Sequence, residues 1–245
     1  MTRFGFQLYS LHAVEDALPA VLDHVGETTF DGVEFAGLPT DPEESEAVAT
    51  ALETNGLAAA GTHAGLDDLE EDLDAVVSAC RTVDCSAVVV PWLDPSVFEE
   101  RASVEAAAAR LTDAAERLDD HGLSLHYHNH DQEFVDLDGR PAVETLLEAA
   151  PDVGFELDLG WAGAAGHDPL AVFEQYADRI DIAHLKDYDA ETGDPVEVGR
   201  GDLDVEAVVE AVRTHDVDWL VYEVEQRPDT YETLDYADEF VQRYR

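Results

Sequence analysis

The sequence predicts one α/β domain, a (β/α)8 TIM barrel spanning residues 1–245, and three observations carry that prediction. Short β-rich runs alternate with longer amphipathic acidic segments about eight times. No linker, low-complexity tract or Pro/Gly-rich break divides the chain. The length of 245 residues is also close to that of one such barrel.

Strands are read over residues 4–10, 32–37, 58–63, 87–92, 124–129, 153–158, 180–187 and 219–225. Helical patterns between them include 43–55, 69–83, 97–121, 168–178, 204–215 and 231–243. Asn55-Gly56 and His121-Gly122 are helix stop signals, and Pro42, Pro141 and Pro169 sit near helix starts. Parallel strands need long crossover connections, so such alternation implies a parallel sheet covered by helices. No G-x-G-x-x-G follows the first strand and no G-x-x-x-x-G-K-[ST] occurs, which disfavours an open nucleotide-binding sheet and leaves the closed barrel.

Composition narrows the function classes. Acidic residues number 57 against 13 basic ones, a formal charge of −44 spread along the whole chain. Regular apolar periodicity argues against disorder, and the reading is a solvated acidic surface suited to molar salt, where the Debye length falls to about 3 Å. A salt-accumulating halophile is the expected source. Clustered Lys and Arg are absent, so a nucleic-acid partner is not expected. No apolar run reaches the roughly 18 residues of a membrane span, and the N-terminal MTRFGFQLYS lacks the pattern of a secretory signal, so a cytoplasmic location is expected. Cys80 and Cys85 are read as ordinary thiols. Lys186 is the only lysine in the chain.

In a barrel of this kind functional groups sit where strands end. Glu34, His63, Trp92, the run His126-Tyr127-His128-Asn129-His130, Asp158, the run His184-Leu185-Lys186-Asp187, and Glu223-Val224-Glu225 all fall at such ends. Period-two alternation turns Leu125 and Tyr127 toward the helices and His126 and His128 toward the barrel axis, with His128 nearer the mouth. By the same rule Glu156 pairs with Asp158, His184 with Lys186, and Glu223 with Glu225. Two imidazoles and two carboxylates can therefore converge from four neighbouring strands. That donor set suits Mn²⁺, Co²⁺ or Zn²⁺ better than a thiolate-rich structural zinc site, and Mg²⁺ would prefer more oxygen. The choices of His126 or His128 and of Glu223 or Glu225 stay open, and Glu34 is undecided. Any one of these residues alone is more often a packed ring or a salt-bridge partner; four together point to a site.

These residues resemble the sugar phosphate isomerase/epimerase family with the xylose isomerase-like TIM barrel, over essentially the whole chain. The likeness is strongest at 127–134, Tyr-His-Asn-His-Asp-Gln-Glu-Phe, similar to the YHNHxxEF segment of one subgroup. Gly154-Phe155-Glu156-Leu157-Asp158 before Trp161, His184-Leu185-Lys186-Asp187, Gly199-Arg200-Gly201-Asp202 and the last-strand glutamates before Arg227-Pro228 match in order. The resemblance implies one catalytic divalent metal, Mn²⁺ foremost, held by His128, Asp158, His184 and Glu223. It departs from the well-understood epimerases at His128, where they carry a glutamate. A neutral, metal-bound imidazole cannot accept a proton as a carboxylate does.

The expected chemistry is metal-polarised proton abstraction α to the carbonyl of a small sugar or keto-sugar, through an enediolate, as an isomerase or epimerase. Sugar dehydration, or cleavage of a 3-keto-glycoside, is the alternative, with a non-catalytic barrel behind it. Glu223 is the leading base with Glu225 and Glu133 as competitors; His130 is the expected acid, and Lys186 holds developing charge or pairs with Asp158 or Asp187. Gln7, His63, Trp161, Arg200 and Glu225 are expected substrate contacts. A phosphorylated substrate is disfavoured, because Arg200, Arg227 and Lys186 are the only candidate phosphate-binding cations. Association into homo-oligomers through the barrel loops is compatible with the sequence.

Overall fold

The computed structural model describes residues 1–225 and 230–245. Eight strands close into a barrel: β1 (Arg3–Gln7), β2 (Gly32–Phe35), β3 (Ala58–His63), β4 (Ala87–Val90), β5 (Ser124–His128), β6 (Gly154–Asp158), β7 (Ile182–Leu185) and β8 (Trp219–Tyr222). Every neighbouring pair is parallel, and β1 closes the circle against both β2 and β8. The helices are α1 (Leu18–Gly26), α2 (Pro42–Asn55), α3 (Leu66–Glu71), α4 (Leu73–Thr82), α5 (Arg101–Asp119), α6 (Ala142–Ala149), α7 (Leu159–Ala164), α8 (Pro169–Tyr176), α9 (Val205–Thr214) and α10 (Glu232–Val241). The predicted single barrel is thus what the chain forms.

Local signals behave as their chemistry requires. Asp41 caps α2 through the N–H groups of Glu43 and Glu44, with Pro42 in the first turn, and Gly56 ends it at φ 65°. Asp168 and Pro169 start α8 in the same way. The expected strand over 4–10 stops at Gln7, because the Gln7 side chain accepts from the Tyr9 N–H and turns 8–11 into a 3-10 helix. The expected helix over 69–83 starts at Leu66 and breaks at Asp72, whose φ −145° and ψ 56° separate α3 from α4. Likewise the pattern over 97–121 divides at the extended Glu100 into a 3-10 turn, Pro95–Glu99, and α5.

The main core lies between sheet and helices. A smaller cluster of Ala60, Ala87, Ile182, Trp219 and Val221 fills the floor of the barrel. Trp219 enters that floor because Gly32 opposite it has no side chain: a Cβ there would stand 2.2 Å from the Ala58 carbonyl and 2.7 Å from the indole. Above this apolar plug the interior turns polar, and the polar layers end at the mouth. Two antiparallel ribbons decorate that end, Asp136–Leu137 with Arg140–Pro141 and Asp187–Tyr188 with Pro195–Val196. Both cysteines are free and buried. Among the described residues no helix is long and apolar enough to cross a membrane.

Candidate metal centre and active site

The last turns of β5 to β8 bring His128, Asp158, His184 and Glu223 together, all buried, with one ligand-type atom from each within 4.8 Å of the others. Strand register does most of this. Asp158 is paired with His184 across β6 and β7, and His184 with Val221 of β8, two residues before Glu223. The Asn129 side chain extends the pairing beyond β5: its Oδ1 accepts from the Asp158 N–H at 3.0 Å and its Nδ2 donates to the Asp158 carbonyl at 3.2 Å. Asp158 Oδ1 then caps α7 by accepting from the Trp161 N–H at 2.8 Å, which leaves Oδ2 buried and turned to the cluster, with the Lys186 ammonium 3.1 Å away.

The donor set fits a divalent ion. His184 Nδ1 lies 2.7 Å from Glu223 Oε2 and 3.9 Å from Asp158 Oδ2, and His128 Nε2 lies 4.0 Å from Asp158 Oδ2. Bond lengths of about 2.1 Å to nitrogen and oxygen place neighbouring ligand atoms roughly 3.0–3.4 Å apart, so small side-chain movements suffice. Burial alone would lower the basicity of His184, but Glu156, Glu34 and Glu223 raise it well above the usual histidine range. A proton held between His184 and Glu223 would stand where these residues could hold an ion, and ion binding would require its release.

Lys186 provides the cation in this arrangement. Its ammonium is 2.6 Å from Glu225 Oε1, 3.1 Å from Asp158 Oδ2 and 3.2 Å from Glu223 Oε2, and the side chain is 1% exposed. Burial opposes its charge, yet Asp158, Glu223 and Glu225 outweigh burial and raise its pKa. Burial would raise Glu223 too, but Lys186 and His184 hold it well below the usual carboxylate range. Burial wins at Asp158, which is pushed up to about 6 against Lys186.

A second polar layer lies beneath the first. Glu34, undecided from the sequence, is fully buried and receives His184 Nε2 at 2.6 Å and Gln7 Nε2 at 2.8 Å. Glu156 lies in the same layer, 3.2 Å from both His128 Nδ1 and His184 Nε2 and 3.5 Å from His63 Nε2. His126 lies outside both clusters, with its Nε2 3.0 Å from Ser124 Oγ. Gly154 makes room for its ring, since a Cβ there would be 2.2 Å from His126 Nδ1. Of the two open choices, His128 rather than His126 stands with Asp158 and His184, and Glu223 rather than Glu225 completes the set.

The other candidates fall into three groups. His130 packs edge-on against His128 at 5.0 Å and tilts over Trp161 at 5.7 Å, while Lys186 Nζ stands 5.0 Å from the Trp161 ring. Burial and the Lys186 charge lower His130 to about 4, so it is a neutral ring near pH 7. The acid role expected of it would need a proton delivered from elsewhere. Glu133 is occupied with bracing the β5–α6 loop: it accepts from Tyr127 Oη at 2.6 Å and from the His130 N–H at 2.8 Å. Both of its oxygens already carry donors, which leaves neither free for the role of a base competing with Glu223. Gln7 and His63 belong to the deeper layer, and His63 also borders a cavity of about 460 Å³ beside α3 and α4. Arg200 is exposed and lies 4.9 Å over the Tyr236 ring, away from the four-residue cluster. Arg227 and Pro228 lie outside the described residues. From the sequence Asn129 had no assigned role and Asp187 was offered only as a partner of Lys186, whose ion pairs run instead to Asp158, Glu223 and Glu225. Asp187 gathers the N–H groups of Tyr188, Gly199, Gly201 and Leu203, so it organises the loop that carries Arg200.

Comparison with known proteins agrees with this architecture. Rhizopine catabolism protein MocC of Rhizobium meliloti is 33% identical over 155 residues, covering 54% of this chain and 46% of that protein. An inosose dehydratase of Lacticaseibacillus casei is 29% identical over 170 residues, covering 59% of this chain and 56% of its own length. The chain thus spans about half the length of the curated relatives it matches. A sugar phosphate isomerase/epimerase structure from Parabacteroides distasonis superposes with a TM-score of 0.83 at 19% identity, covering 99% of this chain and 94% of that one, a likeness of fold. The Xylose isomerase-like TIM barrel family profile matches residues 22–240, and with the closed eight-stranded barrel the chain belongs to that family.

Proposed function

We propose that the protein is a divalent-metal-dependent sugar isomerase or epimerase that removes the proton α to the carbonyl of a small ketose or keto-sugar. The observation that carries this reading is the convergence of His128, Asp158, His184 and Glu223 from four consecutive strands, with a buried ammonium beside them. An ion held by those four residues, Mn²⁺ foremost by its mixed donor set, supplies Lewis acidity toward a carbonyl oxygen. Lys186, anchored by Glu225, offers its ammonium to the oxygen on which negative charge develops. His130 and Trp161 form a neutral, partly apolar wall at the mouth that suits the C–H face of a sugar ring.

A second reading, dehydration or 3-keto-glycoside cleavage, is favoured by one observation. His128 stands where epimerisation by two opposed carboxylates would need the second one, and burial holds its ring neutral. Elimination needs a single base, and the proton it takes can depart with the leaving hydroxyl or alkoxide. The inosose dehydratase relative supports the same choice.

The two readings separate in one experiment. The chain is stripped with a chelator, reloaded with Mn²⁺ in molar KCl, and incubated in D₂O with ketoses, inososes and 3-keto-glycosides. Metal-dependent C–H exchange without elimination supports isomerase or epimerase action, and elimination products support the second reading. Absence of both exchange and a stoichiometric ion refutes metal-dependent enolisation. Glu223→Gln is expected to lower exchange by roughly 10²-fold or more while the sugar still binds, as loss of a general base does.

A further inference from the structure

Beneath the candidate active site the barrel holds a second convergence of ligand-type atoms that the proposed reaction leaves unused. Glu34 of β2, His63 at the end of β3 and Glu156 of β6 meet with their facing atoms within 4.8 Å of one another, together with the lower nitrogen of His184. Glu34 and Glu156 are both 0% exposed. Glu34 Oε1 and both oxygens of Glu156 are buried without a hydrogen-bond partner. The groups that face the two carboxylates are Gln7 from β1, His63 from β3, His128 from β5 and His184 from β7. Among the described residues no Lys or Arg forms an ion pair with either of them. Among the described residues, the partners of these two deeply buried carboxylates are Gln7 and the imidazoles of His63, His128 and His184, and a cation among them would offset the cost of burying both charges.

The geometry matches a cation. His63 Nε2 stands 3.7 Å from Glu34 Oε1 and 3.5 Å from Glu156 Oε1. Ligand atoms bound tetrahedrally at about 2.1 Å lie roughly 3.4 Å apart, so both separations need only small adjustment. His184 does not have to serve two ions. Its Nδ1 faces Glu223 in the upper cluster, while its Nε2 lies 2.6 Å from Glu34 Oε2, the other oxygen of that carboxylate. His128 divides its ring in the same way, with Nε2 toward Asp158 and Nδ1 toward Glu156. With an ion in the upper cluster, His184 would donate its remaining N–H to Glu34 Oε2 and leave Glu34 Oε1 to the deeper site, while His128 would donate to Glu156 Oε1, which would keep its second lone pair and the free Oε2 of the same carboxylate for the lower ion. Gly61 keeps the flank of that oxygen open, since even a Cβ there would approach it to 3.0 Å.

We propose that Glu34, His63 and Glu156 form a second divalent-cation site, one layer below the first, with water completing the coordination. Its ligands, two carboxylate oxygens and one imidazole nitrogen, suit Mn²⁺ or Zn²⁺. The cation neutralises two carboxylates in the barrel interior and ties β2, β3 and β6 together. It also holds in place the Glu34 carboxylate that receives His184 Nε2, so that Nδ1 points to the mouth. The proposal rests on the reading of the upper cluster only for which ring nitrogens remain below it.

The test uses the whole chain, stripped with a chelator, reloaded with Mn²⁺ in molar KCl and desalted to remove ions held loosely on the acidic surface. Two ions per chain are expected by elemental analysis. Crystals should show two anomalous peaks, one among His128, Asp158 and Glu223 and one among Glu34, His63 and Glu156. His63→Ala and Glu34→Gln should each reduce the count to one and erase only the lower peak, whereas Asp158→Asn should erase the upper. A single ion in the wild-type chain seated in the upper cluster, or a second peak anywhere else, overturns the deeper site and leaves the active-site reading standing, whereas a single ion seated in the lower cluster overturns the active-site reading instead. No ion at all overturns both. Should either lower-layer variant fail to fold, the wild-type stoichiometry and anomalous map decide the matter alone.

Discussion

Replacing Lys186 by methionine tests the electrostatics of the site directly. The substitution keeps the unbranched stem but removes an ammonium that contacts Asp158, Glu223 and Glu225 at 3.1, 3.2 and 2.6 Å. Removing one partner of a buried ion pair costs about 3–5 kcal/mol, because the remaining charge is left uncompensated. For a chain of this size each kcal/mol shifts the melting temperature by roughly 2–4 °C, so the metal-free variant should melt roughly 6–20 °C below wild type. Mn²⁺ brings positive charge to the same carboxylates, and in wild type it must share them with the ammonium. It should therefore raise the melting temperature of Lys186→Met by more than that of wild type. Thermal unfolding followed by circular dichroism at fixed KCl, with chelator and then with Mn²⁺, measures both quantities. Equal melting of the two metal-free proteins would show that the ammonium is not the counter-ion of the site. Equal gains on adding Mn²⁺ would show that ion and ammonium do not share carboxylates.

Three further outcomes are expected. Burial and the neighbouring Glu156 raise Glu34 to about 7 from its ordinary 4.5, so its proton is held more tightly in the folded chain. A carboxyl raised in this way favours folding at low pH, and the advantage is lost as pH climbs from 4.5 to 7; in chelator, wild-type stability relative to Glu34→Gln should fall by about 3 kcal/mol across that window, and a constant difference would refute the shift. Asn129→Leu removes both hydrogen bonds to the Asp158 backbone and should weaken Mn²⁺ binding by roughly 10–100-fold in competition titrations, whereas unchanged affinity would limit Asn129 to a structural part. With a formal charge of −44, the chain should gain thermal stability between about 0.15 M and 1 M KCl as the Debye length shrinks from about 8 to about 3 Å, and a flat or falling melting curve would count against adaptation to high salt.

Much of the site was legible because alternation along a strand is a local property. It turned His128 and His126 inward together, and Asp158 with Glu156, with no knowledge of neighbouring strands. It could not rank them by depth. His126 and His128 occupy different layers, and only the register of β5 against β6, which places His128 opposite Glu156, shows which of the two reaches Asp158. The role of Asn129 was not legible for a related reason: its side chain continues a ladder whose other member is 29 residues away. The electrostatics of His130 were not readable from the sequence, since burial and the charge of Lys186 act on it only once the mouth is assembled.

By itself the sequence determined the repeating βα unit, the single closed domain, the acidic exterior and the strand ends on which chemistry-bearing residues lie. Those follow from periodicity, capping residues and composition, which are set within a few residues of each position. The tertiary structure alone decided the layering of the polar interior and the partners of each charge. Glu34 contacts His184 across 150 residues of chain, and Lys186 gathers three carboxylates from two other strands. Such contacts depend on how the barrel closes and staggers its strands, and no local pattern encodes that geometry.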